Sequence, residues 1–164
     1  MRVEGKGSFQ NSVQAKRCFQ TMIQGGTRQF VVDLERCPIM DSTFLGTLTG
    51  AALNLRNIDG GGKVSVLNAN ARNQQLLRSL GLDHILDVDR EGTSYPVERK
   101  EVSQELDTCK EEPCADKTEQ ASHVLEAHEA LTQANAQNAN RFRDVIEFLE
   151  KEVRQGGVPP PVTP

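Results

Sequence analysis

The sequence has few aromatic residues, no excess of positive charge and no long apolar run. Its 164 residues include no Trp, one Tyr and six Phe, so a surface that stacks on nucleic-acid bases is not expected. The net charge is −4, and the basic residues are scattered among acids, which argues against a phosphate-binding face. No apolar stretch approaches the ~20 residues of a membrane span. The start, MRVEGKGSF, lacks the apolar region of a signal peptide. We therefore predict no nucleic-acid partner and no membrane span.

Cysteine and histidine are also sparse, and neither residue type has the spacing of a metal site. The cysteines are Cys18, Cys37, Cys109 and Cys114. The last two form a C-x4-C pair with no second pair of ligands. Of the three histidines, His123 and His128 are five residues apart, and His84 is distant in sequence from both. We expect reduced thiols in a cytoplasmic protein, and neither a metal nor a cofactor.

The first 89 residues alternate between strand-like and helix-like patterns. The segments RVEGKGSF, QFVVDL and KVSVLNA have strand character, and LDHILDVD ends the unit as a short strand or extended segment. Helical apolar periods predict helices near residues 11–24, 43–58 and 71–80. The candidate N-cap of the first helix is Asn11 or Ser12, and that of the third is Asn70. The first helix can end at Gly25 and Gly26, and the third at Gly81. This order predicts an α/β domain with a largely parallel sheet.

The rest of the chain has a different composition. Residues 90–117 are charged and poor in large apolar side chains, which predicts a linker. Residues 118–155 contain two amphipathic segments, so we expect either a helical hairpin or one long helix there. Each segment has one apolar face, and in a hairpin the two faces would pack against each other or against the α/β domain. The first face consists of Val124, Leu125 and Leu131, and the second of Phe142, Val145, Ile146 and Leu149. These helices are also candidates for homodimerisation, and residues 156–164 form a Pro-rich tail predicted to be flexible.

A polar cluster lies at the junction between the second strand and the second helix. Asp41, Ser42 and Thr43 follow Met40 and precede Phe44. Loops at the carboxyl ends of parallel strands are common positions for functional sites. A helix cap by Asp41 or Ser42, a phosphorylation switch and a catalytic nucleophile are three interpretations. The absence of G-x-S-x-G argues against the nucleophile. Gly60, Gly61 and Gly62 precede a strand and lack the Lys-Ser/Thr of a phosphate-binding loop, so they predict a turn.

The same residues resemble the STAS domain, which occurs in bacterial anti-sigma factor antagonists and in the tails of sulfate transporters. The family pattern is an apolar strand ending in Asp-Leu, followed by Met-Asp-Ser-Ser/Thr-x-Leu-Gly and later by Leu-x3-Gly-Leu. Four segments of the chain match this pattern in order: Asp33-Leu34, residues 40–43, Leu45-Gly46 and residues 77–82. The resemblance covers roughly residues 3–89 and implies a small mixed sheet flanked by helices. The chain departs from the pattern at Phe44, where Gly is usual, and it begins too late to supply all of the family's first strand.

The resemblance also implies a function and a set of site residues. In the antagonists, the second hydroxyl after the Asp is phosphorylated, and that position is Thr43, with Ser42 as the alternative. The implied partner is an anti-sigma factor or serine/threonine kinase, with a phosphatase reversing the modification, so the protein would be a substrate rather than an enzyme. The implied partner-binding residues are Asp33, Met40, Asp41, Ser42, Phe44 and Gly46. Two alternatives are a non-switching interaction module in a transport or signalling complex and a module that senses a small ligand.

Overall fold

A computed structural model describes residues 1–105 and 116–155 of the chain. Its sheet has three parallel strands in the order β1-β2-β3: β1 (Gln29–Asp33), β2 (Lys63–Leu67) and β3 (Asp87–Val88). Parallel pairing follows from the helical crossovers between successive strands. Within the described residues all strand pairs are parallel, as the β/α alternation predicts.

The N-terminal segment lies beside β1 without forming a regular strand. Isolated parallel bridges join Arg2 to Asp33 and Gly7 to Met40. Between them Gly5 has a φ of +76°, a conformation that side chains other than glycine rarely adopt, and it interrupts the extended backbone. The predicted first strand is therefore reduced to two bridges. At the other end of the unit, the predicted LDHILDVD segment forms a 3-10 turn, Leu82–His84, before β3.

The three predicted helices of the α/β domain are confirmed. They are α1 (Phe9–Gln24), α2 (Ser42–Asn57) and α3 (Ala71–Ser79). Asn70 caps α3 by accepting a hydrogen bond from the Asn73 N–H, as predicted. The N-cap of α1 is Ser8 rather than Asn11 or Ser12, because the helix begins two residues earlier than its apolar period indicates. Asn11 instead accepts a hydrogen bond from the Ser8 N–H.

Three further helices follow the sheet: α4 (Pro96–Glu105), α5 (Lys117–Ala134) and α6 (Ala136–Gln155). Helix α4 lies inside the segment predicted to be a linker; its sequence has no apolar period that would have revealed it. Helices α5 and α6 are separated at Asn135, whose backbone is extended, so the C-terminal segment is a hairpin rather than one long helix. Residues 106–115 of the predicted linker, including Cys109 and Cys114, and the predicted flexible tail lie outside the described residues.

One hydrophobic core joins the sheet to its helices and reaches into the hairpin. Its members come from α1, β1, α2, β2, α3 and the loops beside them, and include Leu131 of α5, with Phe142 of α6 packed against the core. Each large side chain of this kind stabilises the fold by roughly 1.5–3 kcal/mol when fully buried. Of the predicted hairpin contacts, Leu131 and Leu149 are buried, whereas Val145 is exposed. The hairpin is therefore docked on the α/β domain.

Candidate functional site

The candidate site begins at Asp41, which lies at the N-termini of two helices. One carboxylate oxygen accepts a hydrogen bond of 2.8 Å from the Phe44 N–H and caps α2. The other accepts one of 2.9 Å from the N–H of Phe9, the first residue of α1. The positive ends of two helix dipoles thus meet at one carboxylate. Of the two predicted caps, Asp41 is the correct one, and it fixes the start of α2 against the start of α1.

Ser42, the first residue of α2, is hydrogen-bonded to a histidine from the C-terminal hairpin. Its hydroxyl lies 3.0 Å from Nε2 of His128. Nδ1 of His128 lies 2.7 Å from the carbonyl oxygen of Val124, which can only accept a hydrogen bond. Nδ1 therefore carries the proton, and in the neutral ring Nε2 accepts the proton of Ser42. Ser42 itself is only partly buried.

Thr43, the position that the resemblance implies is phosphorylated, is 5% exposed, so its side chain is buried in this arrangement of the chain. The physical reason is helix α5, which packs along α2. Ser42, Gly46 and Thr47 all contact α5. Successive residues are rotated by about 100° around the helix axis. Viewed along α2, Thr43 therefore lies between Gly46 and Thr47, on the side of the helix that α5 covers.

The remaining residues predicted to bind a partner are buried in the described structure. Met40 and Phe44 are core residues, so neither side chain presents a surface to a partner. Asp33 forms an ion pair of 3.4 Å with Arg2 and accepts hydrogen bonds from Asn68 and from the Glu35 N–H. Burial alone would raise the pKa of Asp33, but these hydrogen bonds and the Arg2 charge together hold it below its ordinary value. Asp33 thus organises the carboxyl end of β1.

Gly46 is covered by the backbone of α5. A Cβ built at Gly46 would overlap the backbone carbonyl of Ala127, so only glycine permits this approach. One turn further along α2, a Cβ built at Gly50 would lie 3.6 Å from the Cβ of Ala130, which is an ordinary contact. Helix α5 therefore approaches α2 more closely at Gly46 than at Gly50.

A second histidine of α5, His123, lies where α1, α2 and α5 meet. It is 3% exposed, and its Nε2 lies 2.9 Å from the Ser12 hydroxyl and 3.1 Å from the Thr47 hydroxyl. Its Nδ1 is buried without a hydrogen-bond partner. Burial is the main reason that the pKa of His123 is lowered to about 4, with a smaller effect in the same direction from the nearby Lys16 charge. His123 is therefore neutral at physiological pH.

A cavity of about 200 Å³ lies beside His123 between these three helices. Its lining is partly apolar, with Phe19 and Ile23, and partly polar, with Lys16, Asn54 and Glu126. The small-ligand alternative places a pocket between the sheet and the helices, whereas all of the residues that line this cavity belong to α1, α2 and α5.

The sequence did not reveal the role of the two histidines. Their separation of five residues argued against a shared helix face, yet both are buried, because His123 faces α1 and α2 and His128 faces the start of α2. The available signal was the alanines between and after them, Ala127 and Ala130, which mark a helix that can approach another closely. The partner of that face could not be read from the sequence.

The chain belongs to the STAS domain family, whose profile matches residues 1–98. The match extends past the predicted boundary at residue 89 into α4. STAS domains are non-catalytic modules that act in protein interaction or regulation. No curated protein sequence matches the chain significantly. Among residues 1–105 and 116–155, no helix is long and apolar enough to cross a membrane. The same part of the chain contains no cluster of three or more potential metal ligands.

Proposed function

We propose that the protein is a phosphorylation-switched binding module of the anti-sigma factor antagonist type. Its partner would be a bacterial anti-sigma factor or serine/threonine kinase in transcription regulation, with a phosphatase removing the phosphate. In this role the protein is a cytoplasmic substrate and not an enzyme. The observation that carries the proposal is the first turn of α2, where Asp41 fixes two adjacent hydroxyls, Ser42 and Thr43, at a helix N-terminus.

The position of the two hydroxyls accounts for a switch that leaves helix α2 itself intact. A phosphate adds about −1.5 to −2 charges at neutral pH, and a helix N-terminus favours negative charge. The Asp41 carboxylate opposes that charge locally, so the net effect on α2 is small. A partner covering the same turn would meet a bulky dianion, and like-charge contact costs several kcal/mol. The bare turn therefore binds, and the phosphorylated turn is rejected.

The two candidate acceptors are supported by different observations. Thr43 occupies the position that the antagonists phosphorylate, but its side chain is buried. Ser42 is more accessible, but its hydroxyl proton is engaged by His128. A phosphate on Ser42 would remove that donor and place an anion against α5. Modification at either residue therefore requires or causes movement of the hairpin.

Binding measurements on full-length variants test the proposal. Thr43→Glu should weaken binding to the cognate kinase or anti-sigma factor, whereas Thr43→Ala should bind and resist phosphorylation if Thr43 is the acceptor. The mimic carries about one charge rather than nearly two, so we expect a partial loss. Ser42→Ala is the matched control, and isothermal titration calorimetry provides the readout. Equal affinities for wild type and Thr43→Glu would contradict the switch and favour a non-switching module.

A small-ligand module is the second candidate, because of the 200 Å³ cavity between α1, α2 and α5. Native mass spectrometry of the purified protein would detect a retained ligand. Homodimerisation through the C-terminal helices stays a prediction, to be tested by light scattering. Val145 and Phe148 are exposed on α6 and are the residues to substitute in that experiment.

A further inference from the structure

Helix α5 lies against both α1 and α2 and contacts each of them through specific side chains. On the α2 side, the Ala127 backbone lies over Gly46 and His128 accepts the Ser42 hydroxyl. On the α1 side, Arg17 forms an ion pair of 2.6 Å with Glu119. The N-terminal part of α2, which carries the proposed partner site, is thus occupied by a helix from the same chain.

Two further interactions fix the depth and register of α5. His123 bridges the Ser12 hydroxyl of α1 and the Thr47 hydroxyl of α2, and Glu126 pairs with Lys16. Together these contacts hold α5 as a groove holds a bound helix. The α5 backbone approaches α2 closely at Ala127, and charged pairs with α1 lie at the edge of the interface. Recognition of a helix by a groove commonly uses anchors spaced by three or four residues, as Ala127 and Ala130 are here.

The composition of this interface makes α5 releasable. Most of its buried residues are alanines, Ala121, Ala127 and Ala130, or the two histidines, and Leu131 is its one fully buried large apolar residue among those described. Alanine buries little apolar area, so each contact contributes less than a Leu or Phe would. The ion pairs at the edge are partly exposed, and such pairs contribute little.

We propose that α1 and α2 form a helix-binding groove, with α5 as its resident ligand in the same chain. The hairpin closes the groove over Thr43 and must be released before a kinase or partner protein reaches the first turn of α2. A partner that replaces α5 would present a helix with small residues at the spacing of Ala127 and Ala130. The nature of this partner rests on the proposed function, whereas the groove itself does not.

A labelled peptide of residues 116–135 tests the groove without requiring the partner. In the full chain, Ala127→Leu should prevent close approach to Gly46 and release α5, leaving the groove open to the wild-type peptide. If α5 occupies the groove in at least about nine of ten wild-type molecules, the wild-type chain binds the peptide about tenfold or more weakly than a chain with an open groove would. We therefore expect the Ala127→Leu chain to bind the peptide at least about tenfold more tightly, as measured by fluorescence anisotropy.

Three controls make the outcome decisive. Ala139→Leu places the same side chain on an exposed position of α6 and should behave as wild type. A peptide that itself carries Ala127→Leu should bind neither chain. The double variant Glu119→Arg, Glu126→Lys replaces two attractions with repulsion from Arg17 and Lys16 and leaves the core side chains unchanged, so it should weaken the docking of α5. Hydrogen exchange of residues 117–134 should increase in both open variants.

Equal peptide binding by wild type and both open variants would overturn the proposal, as would unchanged exchange in α5 in both of them. Either result would make α5 a fixed part of the core. Failure of a kinase to modify Ser42 or Thr43 in the open variants would refute the phosphorylation switch alone. Peptide binding in the same variants would still establish the groove.

Discussion

At the scale of single residues, the structure separates two roles that adjoin in the sequence. Asp41 is structural, because both of its carboxylate oxygens accept backbone N–H groups at helix starts. Ser42 and Thr43 make no such cap; the Ser42 hydroxyl is hydrogen-bonded to His128, and Thr43 is buried. Sequence reasoning located this junction because a carboxylate before an apolar helical period is a strong N-cap signal. It missed the burial of Thr43, which depends on a helix that begins at residue 117.

His123 predicts a dependence of stability on pH. Its pKa is about 4 in the folded protein and about 6.5 when the chain is unfolded. The unfolded state therefore binds more protons as the pH falls from 6.5 towards 4, and stability is lost over that interval. Each pH unit below the unfolded pKa lowers the free energy of unfolding by about 1.4 kcal/mol. We therefore expect His123 to lower the free energy of unfolding by about 2 kcal/mol between pH 7 and pH 5.

Urea unfolding of wild type and His123→Gln at pH 7 and pH 5 measures this contribution. The variant should lose less stability on acidification, because Gln does not titrate. Glu119 and Glu126 lie near His123 and are present in both proteins. His84→Gln is the control, since that side chain is 87% exposed. Identical pH profiles for wild type and His123→Gln would contradict the assignment.

At the scale of secondary-structure elements, the helices with a clear apolar period were predictable and those without one were not. Helix α2 repeats large apolar residues on one face, and its predicted bounds differ from the observed ones by one residue at each end. Helix α4, PVERKEVSQE, has no such face, so its sequence predicts a linker. Its N-terminal neighbour Tyr95 has a φ of +58°, a conformation that no sequence pattern indicated.

The crossing of α2 and α5 predicts opposite effects for two glycines of α2. Gly46→Ala should destabilise the protein by about 1–3 kcal/mol, because the added Cβ overlaps the Ala127 backbone. Gly50→Ala should be neutral or stabilising by up to about 1 kcal/mol, since its Cβ makes only an ordinary contact and alanine favours the helix. Chemical unfolding of the two variants checks this contrast. Stabilisation by both substitutions would show that α5 does not lie across Gly46.

At the scale of the whole molecule, the sequence indicated the α/β domain and the two C-terminal helices but not how they fit together. The β/α order restricts the sheet to few topologies, because crossovers between parallel strands have a fixed hand. The docking of the hairpin depends on contacts between residues about 80 apart, such as Ser42 with His128. Those contacts join small and polar residues, which carry no periodic signal. The position of the hairpin over the candidate site therefore emerged only from the structure.

The central claim is that the first turn of α2 is where a kinase partner acts. The most direct measurement is phosphopeptide mass spectrometry of the full chain, after incubation with ATP and a serine/threonine kinase that binds it. We predict a single phosphate on Thr43 or Ser42, added faster when Ala127→Leu releases α5. A kinase that binds the chain but leaves both hydroxyls unmodified, in wild type and in Ala127→Leu, would contradict this claim.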